Sequence, residues 1–457
     1  MNRLSLNLSL AGLLAMCCIA SAQAQSADRD GAASVDFASY LDAIARSSNE
    51  VAAQREALTA ARAGVGIAGL RPDPSLSLGA GPVEFSREVT PKPRLAQSIG
   101  LSYTIEMGGK RERRIAAANS QVRVSEVALE GVQRQALADA ADAFIESCRT
   151  REALQRQEAS LKALSDIVKM NELRHSAGDL GGLELLQSRN ERDQFLATVV
   201  KARADARAAM EGLSTPLGRR WTEIFGARVP ACDFESGLTS GNTVARGSAE
   251  TEAEADAATD ALVARALEER DDVRAARAAV DAARASAELT RANRKVDPNV
   301  SLSYGYTPQG RRGLAEDGST TEPTPRSNTL SVSLSVPIPL SRLDKGDLVQ
   351  AESAVTQALL ALRQTELKAQ ADVRVTFAQY KAALENLTRY RDSTLGDADR
   401  VLDGIRTSYR HGSASLLELL SAQRAADDTH LAYLQARSDL ATATVRLQLS
   451  LGRAPAL

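Results

Sequence analysis

Four short runs of the chain alternate between apolar and small polar residues with a period of two. In the longest run, Leu95, Ile99, Leu101, Tyr103 and Ile105 fall on one face, and the other face carries Ala, Ser, Gly and Thr. Similar runs occupy 75–78, 300–306 and 329–336. This period is that of a β-strand. Because the polar face carries Ser, Thr and Gly rather than Lys, Glu and Arg, the pattern predicts membrane strands whose inner wall faces water.

Two long segments, 95–214 and 341–453, contain no proline and are rich in helix-forming residues. A proline inside a helix costs about 3 kcal/mol. The segments therefore predict two long helical hairpins that turn near Gly178 and Gly412. The first arms, 110–175 and 347–409, would each be on the order of 95 Å long, so they must pack along other helices.

The second half of the chain repeats the first. Gly178 and Gly412 lie 234 positions apart, and the same shift places the Glu-Leu-Leu sequence at 184–186 on that at 418–420. The strand runs repeat at slightly smaller shifts. A unit of this length is too long for a stacked solenoid repeat. The sequence therefore predicts one architectural half, duplicated.

Four strands cannot close a barrel, and open edges in lipid would leave unpaired backbone groups. The chain must therefore associate, and three copies would give a twelve-stranded barrel. The predicted fold class is an α+β membrane protein with an internal duplication. Long helical hairpins form an α-barrel, and four strands per chain contribute to a trimeric 12-stranded β-barrel.

Composition adds few constraints. Aromatic residues make up 4% of the chain, and a net charge of -2 gives no reason to expect nucleic acid as a partner.

The first 24 residues have the pattern of a signal peptide, and Gln25 would begin the mature chain. Cys17 and Cys18 leave lipidation as an alternative. Cys148 and Cys232 could form a disulfide or remain two separate thiols.

These boundaries predict five segments along the chain. They are a signal peptide at 1–24, a first structural repeat at 25–218, a connector at mid-height at 219–260, a second repeat at 261–452 and a short tail at 453–457. The connector is expected because the stretch 237–256 is rich in Gly and Ser and then acidic.

The order of helix, strand pair and helical hairpin, occurring twice, resembles the TolC-type outer membrane factors. Within that family, the segment Glu-Met-Gly-Gly-Lys-Arg at 106–111 is similar to a signature of the cobalt-zinc-cadmium and nickel-cobalt resistance branch. The resemblance implies a homotrimeric outer-membrane channel with a periplasmic extension. It also implies two partners, a periplasmic adaptor protein and an inner-membrane RND pump.

The resemblance also implies roles for particular residues. Gly178 and Gly412 would mark the tips that meet the adaptor, although a glycine at a helix end also serves as a plain cap. Carboxylates near the tips would form rings that favour cations at the channel entrance, although such residues are also common as solvated helix charges. The predicted entrance or gate residues are Glu418, Glu184, Ser421, Tyr409 and His175.

The expected function is the outer-membrane exit channel of an RND-type tripartite pump that exports divalent heavy-metal cations. The alternatives are a channel for multidrug efflux or type I secretion and, in another class, a soluble periplasmic adaptor. We expect no enzymatic activity, because no nucleophile motif or pair of catalytic carboxylates stands out. We also expect no cofactor and no bound metal, because the few His and Met residues lack ligand spacing.

Overall fold

The computed structural model describes residues 34–83, 94–233, 252–310, 312–314 and 318–455. The strands among these residues are, in order, β1 Ser34–Val35, β2 Ser75–Gly81, β3 Ala96–Thr104, β4 Val229–Pro230, β5 Asn299–Thr307, β6 Gly313–Leu314, β7 Thr320–Thr321 and β8 Ser327–Ser335. The helices are α1 Phe37–Ser47, α2 Asn49–Ala68, α3 Lys110–Ser176, α4 Gly182–Gly212, α5 Ser214–Leu217, α6 Trp221–Phe225, α7 Glu252–Glu269, α8 Asp271–Asn293, α9 Gly346–Arg389, α10 Leu395–Arg410 and α11 Leu416–Ser450.

The long strands form one antiparallel sheet with the order β2-β3-β5-β8, as the alternating runs predicted. The register aligns Leu76, Leu101, Leu302 and Val332 in a row across the sheet. A neighbouring row consists of serines on the opposite face, at positions 75, 102, 301 and 333. The apolar row is exposed, and Val332 is 74% accessible. The sheet is therefore open at β2 and β8, and none of the described residues covers its apolar face.

The first hairpin confirms the helical arm predicted from the absence of proline. Helix α3 has 67 residues, whereas its partner α4 has 31. The lower half of α3 packs against α4, and the upper half packs against α2 and α8. One long helix therefore runs from the sheet to the tip, with α2 and α8 beside its upper half and α4 beside its lower half.

The second hairpin has the same plan with one interruption. Helices α9 and α10 together form one helical arm, and a π-helical turn at Tyr390–Thr394 separates them. The hydroxyls of Ser393 and Thr394 both donate to the carbonyl of Arg389, at 3.2 Å. Helix α11, with 35 residues, returns from the tip and packs against α3, α9 and α10.

A compact region at mid-height surrounds the aromatic side chains of the first half. Tyr40 lies between Phe144 and Trp221, with ring centroids 5.4 and 5.7 Å away, and its hydroxyl donates to the carbonyl of Leu213. Strand β4 pairs in parallel with β1 beside this cluster. Ala441 and Val445 of α11 belong to the same core, so the second half also packs into this region.

A disulfide joins Cys148 of α3 to Cys232, which follows β4, with the Cα atoms 5.4 Å apart. The sequence left this bond open, because extended helices would keep the two cysteines apart. The short helix α6 turns the chain back, and its buried Trp221 brings the following segment against α3.

Parts of the predicted layout lie outside the described residues, namely the signal peptide 1–24, with Cys17 and Cys18, and the middle of the connector at 234–251. Helix α7 begins at Glu252, inside the stretch 237–256 expected to be only partly ordered. The division into 25–218, 219–260 and 261–452 stays a prediction. Among the described helices, none is both long and apolar enough to cross a membrane.

Candidate functional site

The two hairpin tips have the same backbone geometry. At the first tip, the amide of Gly178 donates to the carbonyl of His175, and the amide of Asp179 donates to that of Arg174, at 3.1 and 2.8 Å. These two bonds define a Schellman motif, in which the glycine adopts a left-handed conformation. The φ of Gly178 is 85°. The end of α3 therefore satisfies its last carbonyls within its own turn.

The second tip repeats this motif at Gly412, whose φ is 75°. Its amide donates to the carbonyl of Tyr409, and the amide of Ser413 donates to that of Ser408. A Cβ atom built on either glycine would meet no atom within 4 Å. Only the backbone conformation, and no close neighbour, therefore requires glycine at the tips.

Glu418 closes a capping box at the start of α11. The hydroxyl of Ser415 accepts from the amide of Glu418 at 3.2 Å, and the Glu418 carboxylate accepts from the amide of Ser415 at 2.7 Å. Hydrogen bonds from the backbone and the side chain of Ser415 lower the pKa of Glu418. Ser421 donates to the carbonyl of Glu418 at 3.0 Å. Both predicted gate residues are exposed, and Glu418 also has this local capping role.

Glu184 occupies the equivalent position at the start of α4 but lacks this arrangement. The residue that caps α4 is Gly181, which offers no side-chain hydrogen bond. Glu184 is exposed, and its charge contributes to raising the pKa of Tyr409 on the other hairpin. The two predicted acids therefore differ, because Glu418 holds a helix start whereas Glu184 lies near the contact between the hairpins.

Tyr409 links the two hairpins just above their tips. Its side chain is buried, and its hydroxyl donates to Oδ1 of Asn171 on α3 at 2.7 Å. Arg174 lies over the ring, 5.6 Å from the centroid. Burial raises the pKa of Tyr409, so the hydroxyl stays protonated and remains a donor. Asn171 is fully buried, and its Nδ2 has no hydrogen-bond partner among the residues that the structure describes.

His175 does not make a bond of this kind. Its Nδ1 lies 2.8 Å from the carbonyl oxygen of Leu180, inside the same turn. The histidine therefore fastens the loop between α3 and α4. Of these two predicted gate residues, Tyr409 therefore bonds across the two hairpins, and His175 stays within its own hairpin.

A second polar connection between the hairpins was not found from the sequence. Asp427 of α11 is buried and accepts hydrogen bonds from Ser160 and Arg156 of α3, at 2.5 and 3.3 Å. Gln423 donates to the same carboxylate and accepts from Arg406 of α10 at 2.6 Å. Polar residues inside a long helix carry no pattern that distinguishes this buried chain of bonds from an exposed helix face.

The tips also expose large apolar side chains, which a solvated helix end does not require. Leu173, Leu183, Leu186 and Leu417 are between 62% and 77% accessible. Leu183 and Leu417 occupy equivalent positions in the two halves. Exposed apolar residues that cluster in this way mark surfaces that bind another protein more often than scattered ones do.

The Glu-Met-Gly-Gly-Lys-Arg segment builds the corner between β3 and α3. Glu106 pairs with Arg114, and Lys110 pairs with Asp297 at 2.5 Å. Gly108, with a φ of 78°, packs so closely that an added Cβ would lie 2.2 Å from Cδ of Lys295. Arg111, the last residue of the segment, donates to the carbonyl of Gly69 at 2.7 Å, at the end of α2. The charged residues and Gly108 are therefore engaged in joining the sheet to the helices.

Within the described residues, no group of three or more His, Cys, Asp or Glu side chains is arranged to hold a metal ion. His430 lies 2.9 Å from Asp399, with Nε2 facing Oδ1. His175 is engaged in its own turn, and His411 is exposed beside the second tip. No residue in the described part of the chain can therefore be assigned as a metal ligand.

Comparison with known proteins gives one family and several structural relatives. The family described as Outer membrane efflux protein matches twice, at residues 40–219 and 262–453. The cobalt-zinc-cadmium resistance protein CzcC of Cupriavidus metallidurans is 20% identical over 93% of this chain and 92% of its own length.

Two solved structures show the same fold. CusC superposes with a TM-score of 0.71 at 17% identity, covering 91% of this chain and 92% of its own. VceC of Vibrio cholerae superposes with a TM-score of 0.68 at 16% identity, covering 92% of this chain and 97% of its own. The family model matches most of the chain, so membership of this family explains both the duplicated architecture and the open four-stranded sheet. The chain belongs to the outer membrane efflux protein family: it is an outer-membrane channel with a periplasmic helical extension, and not an enzyme.

Proposed function

We propose that three copies of this chain assemble into the outer-membrane exit channel of an RND-type tripartite efflux pump. The observation that carries the proposal is the open sheet, because β2 and β8 leave unpaired edges that lipid cannot satisfy. Three sheets of four strands would close a twelve-stranded barrel with the serine rows lining its lumen. The helical hairpins would continue this wall as a periplasmic α-barrel.

The channel entrance would lie at the tips, where Tyr409 holds the two hairpins together. We infer that its bond to Asn171 stabilises a closed arrangement, because a buried hydrogen bond must be broken when the hairpins separate. Glu418 and Glu184, three of each in the assembly, would add carboxylates that favour cations. Ser421 and His175 would support the helix start and the turn on which these residues lie.

The same tips would dock the periplasmic adaptor. Gly178 and Gly412 allow tight turns without bulky side chains, and exposed leucines such as Leu183 and Leu417 provide apolar contact area. An adaptor that covers these leucines would remove them from water, which favours association. The adaptor in turn would connect the channel to the inner-membrane RND pump.

For the cargo we propose divalent heavy-metal cations, namely cobalt, zinc, cadmium or nickel. The similarity to CzcC over most of both chains supports this choice. The corner motif at 106–111 adds no independent support, because its charged residues and Gly108 have structural roles. A duct needs no tight ligands, since tight binding would slow release. A channel for multidrug efflux or type I secretion is the alternative.

Metal tolerance in a strain that lacks the gene tests this proposal. The strain is complemented with the wild-type gene or with Glu418→Ala, and growth is measured with cobalt, nickel, zinc, cadmium and a panel of drugs. Sensitivity to metals alone, rescued by the wild type, is the expected result. Sensitivity to drugs with unchanged metal tolerance would overturn the metal assignment and favour the multidrug channel.

A further inference from the structure

A groove at mid-height lies between the first hairpin and the short segment that follows it. Helices α3 and α4 line one side, and α6 with the residues that follow it line the other. Its volume is about 520 Å³, within the range of about 300–1,000 Å³ that is usual for small-molecule sites. Four arginines line it, namely Arg151, Arg203, Arg207 and Arg228. We name it the arginine groove.

Apolar side chains make up much of the rest of its lining. They are Leu154 of α3, Met210 of α4 and, from the following segment, Trp221, Val229 and Pro230. Trp221 is buried, Leu154 and Met210 are half-buried, and Val229 is exposed. A ligand with an apolar body would remove the accessible part of this surface from water, which favours binding.

The charge of the arginine groove is unbalanced. Glu158 is the one acidic residue in the described lining, and it pairs with Arg203 at 2.8 Å. The other three, Arg151, Arg207 and Arg228, form no ion pair with any described residue. Four arginines against one glutamate leave an excess of positive charge, which favours an anion as the occupant.

Arg151 shows the imbalance most directly. Its Nη2 lies 2.7 Å from Sγ of Cys232, which is part of the disulfide and is only a weak acceptor. Burial lowers the pKa of Arg151, and the charge of Glu152 offsets only part of this effect. Glu152 itself pairs with Arg437 of α11. An anionic group in the groove would give Arg151 the strong acceptor that the described residues do not provide.

The position of the groove excludes a membrane lipid as the ligand. Helix α3 begins at Lys110 beside the sheet, and Arg151 follows 41 residues later. At 1.5 Å per residue, the groove is on the order of 60 Å from the sheet. A headgroup held in the bilayer cannot reach that far, so the ligand must be a water-soluble molecule.

We propose that the arginine groove binds a small carboxylate whose body is an aromatic ring or a short hydrocarbon chain. The guanidinium groups would bind the carboxylate through charge-assisted hydrogen bonds, and Trp221 with Met210 would contact the apolar body. All the lining residues belong to one chain, so the site depends neither on the number of copies nor on the cargo of the channel.

The fluorescence of Trp221 tests this proposal, because it is the single tryptophan of the chain and it lines the groove. The full-length protein in lipid nanodiscs is titrated with 4-iodobenzoate, whose iodine quenches tryptophan fluorescence at short range. Since Trp221 is buried, a quencher must enter the groove to approach it. The matched ligand, 4-iodobenzamide, has the same ring and iodine but no charge.

The expected result is saturable quenching by 4-iodobenzoate, with binding at least about tenfold tighter than that of the amide, because hydrogen bonds between charged groups are the stronger ones. Equal quenching by the two ligands would overturn the proposal. An absence of saturable quenching would also overturn it, and this is the result expected if the groove accepts only a segment of another protein.

Two pairs of variants locate the site. Arg207→Gln should weaken binding of 4-iodobenzoate by about fivefold. Arg219→Gln is its control, because Arg219 is also exposed but lies outside the groove lining. Ala206→Leu narrows the groove from α4 without changing its charge and should abolish saturable quenching. Ala208→Leu, on an exposed position of the same helix outside the lining, should behave as the wild type.

The two pairs fail for different reasons, so a single misfolded variant cannot decide the outcome. Arg207 is exposed and forms no ion pair with the described residues, and leucine is a good helix former at position 206. Quenching that stays at the wild-type level in both Arg207→Gln and Ala206→Leu would place the ligand elsewhere and refute the arginine groove as its site.

Discussion

Replacing Tyr409 with Phe removes one hydroxyl from the contact between the two hairpins. The ring keeps its packing, but Oδ1 of Asn171 loses its donor in a site where Asn171 is fully buried. A buried acceptor left without a partner costs about 1–3 kcal/mol. Nδ2 of Asn171 has no partner among the described residues, so loss of the bond from Tyr409 would leave both polar atoms of this side chain unsatisfied there.

This free-energy cost would shift the equilibrium between the closed and the open state of the channel. If the bond exists only when the hairpins are together, its loss favours the open state by roughly 5- to 150-fold per chain. We therefore expect Tyr409→Phe to raise the probability of open channels in planar lipid bilayers. Tyr390→Phe, at the π turn away from Asn171, is the matched control and should behave as the wild type.

A double variant separates the effect of losing the Tyr409–Asn171 hydrogen bond on opening from its effect on stability. Asn171→Leu combined with Tyr409→Phe replaces both polar partners by apolar groups, which can restore stability. We expect the thermal unfolding temperature to recover while the open probability stays high. The reasoning fails if Tyr409→Phe lowers the unfolding temperature but leaves the open probability at the level of Tyr390→Phe.

Three further predictions concern other parts of the fold. Gly108→Ala should lower the unfolding free energy by more than Gly109→Ala. Both alanines would incur the penalty of about 1–2 kcal/mol for a left-handed backbone, but only the one at position 108 would meet a lysine side chain. Equal denaturant midpoints of the two variants would contradict this. Cys148→Ser should cost up to about 4 kcal/mol in denaturant unfolding, because the bond spans a sequence separation of 84 residues, and reduction of the wild type should reproduce the loss. Glu418→Ala should lower the melting temperature at neutral pH. Because hydrogen bonds from Ser415 lower the pKa of Glu418, this contribution is present above the ordinary carboxyl pKa and lost as the pH falls through the lowered value, so a difference independent of pH would argue against the capping role.

The long-range plan of the molecule could be predicted because its signals are local and repeated. The absence of proline predicted both helical arms, and the first arm, 110–175, differs from α3 by a single residue. Gly178 and Gly412 marked the turns, since a left-handed residue at a helix end favours glycine. Alternation with period two predicted the long strands, whose register places the apolar residues on one face.

Other features depend on contacts that no single segment encodes. The π turn at Tyr390–Thr394 contains no Gly or Pro, so nothing in its composition marks an interruption. The buried bonds of Asp427 arise because three helices from both halves meet there. The capping box is different, because Ser415 followed three residues later by Glu418 is a readable pattern that could have assigned this carboxylate a local role.

The first arms of the two hairpins are similar in length, but only the second is interrupted, and this difference has a mechanical consequence. Helix α3 runs without interruption for 67 residues, or about 100 Å, so its tip end and its sheet end are the two ends of one stiff rod. The equivalent rod of the second half contains a π turn roughly 25–30 Å above its tip, since α10 has 16 residues. A sideways displacement of the second tip can therefore bend this arm at the π turn, without displacing the part of the arm nearer the sheet. If the tips form the channel entrance as proposed, we expect the membrane end to stay still while the entrance changes its aperture.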